Sequence, residues 1–260
     1  MSELIGICGV EVEYPIHGHA PKKVLSGINV SIRQGELVTV CGKTGCGKST
    51  MLRLILGAEK PTRGQVLIDG REHGRPDRDR GYVPQKYSLF PDRTVLDNIT
   101  FGPTMERFWL FGKRKKELRE EAFEYLRMTG LHESDAHKYP DQLSGGMQQR
   151  VAIAQALIMR PRILLMDEAF SALDPATRGD MQKLIRDLWA RAGTTILFVT
   201  HNIAEAIYLG SRVLVLGKEQ PEDGSRVLLD IEVTDSKQDR LTKLIENAVM
   251  CNQREMEVPA

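Results

Sequence analysis

Apolar positions follow two rhythms along this chain. Ile5–Tyr14 and Lys23–Ile32 alternate in part, with Gly and Pro between them, and predict two strands. Glu36–Cys41 is a short β-branched run that enters a glycine cluster, and Ser49–Leu56 then predicts a helix ended by Gly57. Gln65–Ile68 followed by Asp69-Gly70 predicts a strand and a turn, and Gly81–Pro84 a short extended segment. From Tyr87 to Met159 the rhythm lengthens. Thr94–Ile99 predicts a short helix and Arg114–Thr129 an amphipathic one ended by Gly130. Ser144 is placed to cap a helix running through Val151–Met159, which Pro161 stops. Strand and helix then alternate: Ile163–Met166, Pro175–Arg191, Thr195–Thr200, a helix opened by Asn202 and Glu205, Arg212–Leu216, Val227–Val233 and Asp239–Ala248. The tail Cys251–Ala260 carries no structural signal. The order is that of an α/β protein interrupted by a helical block.

Composition narrows the class. With 36 basic and 35 acidic residues the net charge is +1, which argues against a polybasic nucleic-acid binder. Apolar residues at 41% and charged residues at 27% are a globular mix, so a packed core is expected. No apolar run approaches the roughly 20 residues that span a bilayer. Met1–Tyr14, with Glu3, Glu11 and Glu13, lacks the basic start of a signal peptide, so a soluble, cytosolic chain is expected. Cys8, Cys41, Cys46 and Cys251 match no zinc spacing. Cys8 and Cys41 read as small buried hydrophobes. Cys46 sits among inward N–H groups near Lys48, where either a reactive thiolate or an inert inward thiol fits.

Gly42-Lys43-Thr44-Gly45-Cys46-Gly47-Lys48-Ser49 fits G-x-x-x-x-G-K-[ST] between a predicted strand and a predicted helix. Its glycines let backbone N–H groups turn toward phosphate oxygens, and the helix start aims its dipole at the same place. Lys48 would reach the β- and γ-phosphates of a nucleotide, and the Ser49 hydroxyl would ligate Mg²⁺. Downstream, Ile163–Met166 runs into Asp167 and Glu168. Asp167 is suited to hold the metal, and Glu168 to orient or deprotonate an attacking water.

Between the two lies Leu143-Ser144-Gly145-Gly146-Met147-Gln148-Gln149-Arg150, and with it the chain resembles the ATP-binding-cassette ATPases. The resemblance implies a P-loop NTPase core of mixed β-sheet and flanking helices, an inserted α-helical subdomain and an N-terminal antiparallel β subdomain. It divides the chain into a cassette over 1–250, with 1–86 and 161–235 as core and β subdomain, 87–160 as helical signature subdomain, and 236–260 as a C-terminal helix and tail. It places Tyr14 against adenine, Gln85 on Mg²⁺ or water, Asp174 in a loop that touches the opposite protomer, and His201 on the γ-phosphate. Lys48, Gln85, Glu168 and His201 form the implied catalytic set. Ser49, Gln85 and Asp167 hold metal. Tyr14, residues 42–49, Thr50, Ser144, Gly145, Gly146, Met147 and Asp174 touch nucleotide. Taken singly, Tyr14 reads as a packing tyrosine, Gln85 as a loop residue and His201 as a helix start; their order and spacing carry the resemblance. Met147 stands where glutamine is commonest, Ala169 where proline is, and Asn202 where aspartate often follows the histidine.

Gln85–Pro91, Thr94–Ile99 and Glu168–Asp174 are most similar to importers of the nitrate, sulfonate and taurine type. That likeness implies ATP and Mg²⁺ as cofactors, a head-to-tail homodimer with ATP at its interface, an integral-membrane permease as partner, and an extracytoplasmic solute-binding protein acting indirectly. It implies no nucleic acid, and a place on the cytoplasmic face of the inner membrane. Export or lipid trafficking, and a soluble role in DNA repair or translation, are the alternatives. Phe108–Phe111 before Lys113–Lys116 matches no motif; packing within the helical block is favoured over a membrane-facing patch.

Overall fold

The first two strands form one long hairpin, β1 (Glu3–Ile16) with β2 (His19–Arg33). The computed structural model describes residues 2–86, 88–106, 113–171, 173–220, 223–234 and 238–250. These fall into two units, Met1–Asp77 with Trp189–Ala260, and Arg78–Leu188.

In the first unit an antiparallel sheet runs β2-β1-β4-β5, with β4 at Arg63–Ile68 and β5 at Arg71–Glu72. Asp69 and Gly70 both have positive φ and close a two-residue turn between paired Ile68 and Arg71, a geometry that favours Asp-Gly. The hairpin runs on through Pro15, past Tyr14 where the pattern predicts the first strand to end. The β1–β4 ladder ends at Glu11, so Pro15 sits where β1 has one neighbour only. Cys8 is exposed, not buried as its spacing predicts. Ile7 pairs with Val30 and Val10 with Ile28, so Cys8 and Gly9 together oppose Asn29 in a bulge. The Asn29 Oδ1 accepts the Gly9 N–H at 2.8 Å, and the extra residue returns Val10 and Val12 to the core.

The same unit holds a mixed set of strands, β3 (Leu37–Cys41), β8 (Thr195–Thr200), β9 (Arg212–Gly217) and β10 (Arg226–Glu232), in the order β10-β9-β3-β8. β3 pairs in parallel with β8 and β9, while β10 is antiparallel to β9. All of β3 and β8 is buried, which is why they read as continuous apolar runs. Helices α6 (Ile203–Leu209) and α7 (Gln238–Met250) cover β9 through Ala206, Ile207, Leu241 and Ile245.

In the second unit β6 (Arg80–Val83) pairs in parallel with β7 (Ile163–Asp167). Helices α2 (Val95–Glu106), α3 (Lys113–Met128) and α4 (Gly145–Leu157) enclose a core of Leu96, Ile99, Leu118, Ala122, Leu126, Val151 and Ala154. The i, i+4 spacing of Leu118, Ala122 and Leu126 is the stripe that identified α3. Buried Asn98 makes four hydrogen bonds with Phe90, Arg93 and Thr94, tying the loop before α2 to that helix. α2 runs past Ile99, where the sequence predicts its end, and includes Pro103. Just before it the helix packs closely on Met159: a Cβ on Gly102 would lie 2.9 Å from the Met159 sulfur. Phe108–Phe111 lie outside the described residues. Helix α5 (Pro175–Ala192) begins in this unit.

The thiols differ sharply in environment. Burial, then the neighbouring Cys46, pushes Cys41 up to about 12. Cys46 is 5% exposed. In the native protein at mildly alkaline pH, iodoacetamide is therefore expected to alkylate Cys8 well before Cys41 or Cys46. Peptide mapping by mass spectrometry reads this directly, and early modification of Cys46 would contradict the inward thiol.

Candidate nucleotide site

The phosphate loop leaves the C-terminal end of β3 and enters α1 (Lys48–Leu56). Gly42 has φ 155°, and a Cβ there would lie 2.3 Å from the Leu216 carbonyl oxygen and 2.8 Å from the Cys46 sulfur. No side chain fits, so the chain turns tightly out of the sheet. Gly47 caps α1 in a left-handed conformation, without a side-chain bond to the helix start. Lys48 is 4% exposed, and its ammonium donates to the carbonyl oxygens of Gly42 at 2.9 Å and Lys43 at 3.0 Å. It braces the loop from inside while α1 presents its N-terminal N–H groups. Thr44 and Gly45 are exposed, Lys43 and Ser49 half-buried and Thr50 buried. The Thr50 hydroxyl accepts from Arg53 at 3.1 Å.

His201 follows β8. Because Cys41 pairs with Thr200 in the parallel register, Gly42 and His201 leave neighbouring strands at the same level. That is the carboxyl edge of a parallel sheet, where such folds bind ligands. His201 is exposed there. Asn202 caps α6 by accepting the Glu205 N–H at 3.1 Å, which an aspartate would do equally well. Tyr14, in β1, is half-buried. Its hydroxyl donates to Glu59, which also accepts from Arg53 at 3.0 Å.

The second unit brings together Asp167, Glu168 and Gln85. Val83 pairs with Met166, so Pro84 and Gln85 continue level with Asp167 and Glu168. The Gln85 amide donates to Glu168 at 3.3 Å. Asp167 accepts the Tyr82 hydroxyl at 3.2 Å. Tyr82 belongs to no motif in the sequence, and its one signal there is its place three residues before Gln85. Glu168 itself has φ 44°, an uncommon left-handed conformation for a non-glycine residue.

Ser144 caps α4, its hydroxyl accepting the Met147 N–H at 3.3 Å, with Ser144 and Gly145 exposed at the helix start. Gly146 faces the start of α5, where a Cβ would lie 2.6 Å from Thr177. Met147 packs against the helical core. Asp174 caps α5 by accepting from Ala176 at 3.2 Å and Thr177 at 3.1 Å. The Thr177 hydroxyl and these N–H groups hold its carboxyl below the usual range. Among the described residues there is no group of three or more His, Cys, Asp or Glu side chains placed to hold a metal ion. Nor, among them, is any helix long and apolar enough to cross a membrane.

The family model described as ABC transporter matches residues 25–171. An uncharacterized ABC transporter ATP-binding protein of Methanocaldococcus jannaschii is 46% identical over 81% of this chain and 76% of its own length. The nitrate import ATP-binding protein NrtD of Synechococcus elongatus is 43% identical over 75% of this chain and 70% of its own. The aliphatic sulfonates import ATP-binding protein SsuB of Bacillus cereus is 41% identical over 75% and 74%. Among solved structures, the dimeric ATP-binding cassette MJ0796, in a post-hydrolysis state with ADP and Pi, superposes with a TM-score of 0.77 at 34% identity. That match covers 89% of this chain and 99% of the cassette. A family model spanning more than half the chain, with relatives this similar over three quarters of it, shows that the chain belongs to the ABC transporter family as an ATPase subunit.

Proposed function

We propose that this ATPase subunit energises import of a small anionic or zwitterionic solute, of the nitrate, sulfonate or taurine kind, through a separate membrane permease. The observation that carries the ATP-site reading is the β3–β8 register, from which the phosphate loop and His201 emerge side by side. The import reading leans on the names of the nitrate and sulfonate relatives.

In this reading the loop N–H groups and Lys48 hold the β- and γ-phosphates of ATP, with Tyr14 against the adenine. Glu168 takes a proton from water as its oxygen bonds to the γ-phosphorus and the bond to the β–γ bridging oxygen breaks. Gln85, already hydrogen-bonded to Glu168, orients that water. His201 donates to the γ-phosphate as charge builds there. Ser49, Gln85 and Asp167 are all oxygen donors, the set a hard cation such as Mg²⁺ takes, and Tyr82 fixes one Asp167 oxygen. Mg²⁺ bound with the nucleotide would neutralise phosphate charge.

Ser144, Gly145 and Gly146 present a second set of N–H groups at an exposed helix start, beside the Met147 N–H that the Ser144 hydroxyl caps, suited to a phosphate held by another copy. Head-to-tail pairing of two chains then encloses two ATP molecules. Residues 87–160 form the signature subdomain that meets the permease on the cytoplasmic face of the membrane, and an extracytoplasmic binding protein delivers the solute.

Glu168→Gln with ATP should elute as a dimer in light-scattering chromatography and revert to monomer with ADP. A monomer under both conditions would reject nucleotide-driven pairing. Affinity capture from detergent-solubilised native membranes should return a polytopic protein without a cassette of its own. Recovery of ribosomes or nucleic acid instead would favour the soluble alternative.

A further inference from the structure

His201 stands on a buried polar bracket that capping does not require. In a capping box the third helical residue's carboxylate takes the N–H of the cap residue. Here the Asn202 N–H goes instead to the Thr200 hydroxyl oxygen at 3.0 Å. That hydroxyl donates in turn to the Glu205 carboxylate. The Asn202 side chain accepts the Glu205 N–H and closes the ring. Three hydrogen bonds thus enclose the one residue between Thr200 and Asn202, which is His201.

The bracket is buried while His201, next to it in the chain, is exposed. Thr200 is 2% exposed and Glu205 6%. Its support is anchored to β3: the buried Thr39 hydroxyl donates to the Ala206 carbonyl at 2.9 Å and lies 3.3 Å from the Arg212 carbonyl. A Val–Leu pair would fill this space without desolvating a carboxylate. What the polar pair adds is direction. Glu205 claims the hydroxyl proton, so a Thr200 lone pair is left for the Asn202 N–H, and the backbone is fixed on both sides of His201.

We propose that Thr200 and Glu205 are positioning residues for ATP hydrolysis, aiming the His201 imidazole through this ring of hydrogen bonds. The proposal rests on the reading of His201 as the γ-phosphate donor. The test uses the full chain and steady-state ATP hydrolysis. Thr200→Val keeps the shape and removes the hydroxyl; kcat should fall about tenfold with KM for ATP within twofold, since small misplacement of a reacting group is costly. Thr200→Ser should restore kcat. Adding Thr200→Val to His201→Ala should slow the enzyme no further, because a bracket with nothing to aim has no effect. Should Thr200→Val fold poorly, Glu205→Met removes the acceptor from the helix side and should show the same kcat loss and the same silence in the His201→Ala background. A slow His201→Ala beside a fully active Thr200→Val, or losses that multiply in the double variant, would overturn the positioning role and leave the His201 reading intact. A fully active His201→Ala would overturn both.

Discussion

Glu168→Gln is expected to cut the turnover of ATP by about a thousandfold while leaving ATP affinity nearly unchanged. A positioned general base contributes roughly 10²–10⁴ in rate. Glutamine has the shape of glutamate and can meet the Gln85 amide with its own carbonyl oxygen, so the 3.3 Å contact survives. What it lacks is a site for the water proton. The backbone adds to the argument. Glu168 has φ 44°, at the point where β7 ends, so the strand does not simply run on. Glutamine tolerates that conformation about as well as glutamate, so the fold should not report the change. Phosphate release and fluorescent-nucleotide titration measure the two quantities. A variant that hydrolyses within tenfold of the parent would remove Glu168 from the role of base.

Lys48→Ala should fail earlier, at binding. Its ammonium is buried in the loop and already donates to two carbonyl oxygens. A charge-assisted hydrogen bond is worth about 1.5–3 kcal/mol, so losing the phosphate contact should weaken ATP binding at least tenfold. Turnover should fall by a further factor of about 10²–10³, as when one preorganised donor to a developing charge is removed. Arginine should not rescue it, because a planar fork cannot replace a compact ammonium between the Gly42 and Lys43 carbonyls. Calorimetric titration gives the affinity, and thermal melts give an independent check. ATP raises the melting temperature of a chain in proportion to how tightly it is held, so at a fixed ATP concentration the shift should shrink in Lys48→Ala and persist in Glu168→Gln. An unchanged shift in Lys48→Ala would sink the assignment.

Much of this was legible because single residues carried strong local rules. Gly42, with no room for a Cβ, and Gly47, left-handed at the helix cap, are where the loop pattern requires glycine. Asp69-Gly70 forms the turn its residues favour. What stayed hidden depends on register or on partners distant in sequence. The contact of Gln85 with Glu168 follows only once Val83 is known to pair with Met166. Tyr82 becomes the partner of Asp167 by the same pairing. Cys8 points outward because a bulge resets the alternation, and no periodicity within β1 marks where that happens. Asn202 and Glu205 suggested a capping box, but the Thr200 hydroxyl outcompetes the carboxylate for the Asn202 N–H. α2 runs past Ile99, where the local pattern ends it, and on through Pro103.

Pro15 has a consequence outside the folded chain. Beyond Glu11 the hairpin leaves one side of β1 without a strand partner. Thr62 covers part of that side: its N–H donates to the Glu11 carbonyl and its hydroxyl accepts the Glu13 N–H. Backbone donors alternate sides along a strand, so the next one on this side would belong to Pro15, which has none. A second molecule approaching edge to edge therefore meets a side chain, then a gap, instead of a row of free N–H groups. Opposite, Lys22 and Lys23 place two exposed positive charges on the neighbouring strand. The hairpin end is thereby a poor template for intermolecular β-pairing and aggregation, a protection that costs the native sheet no hydrogen bond.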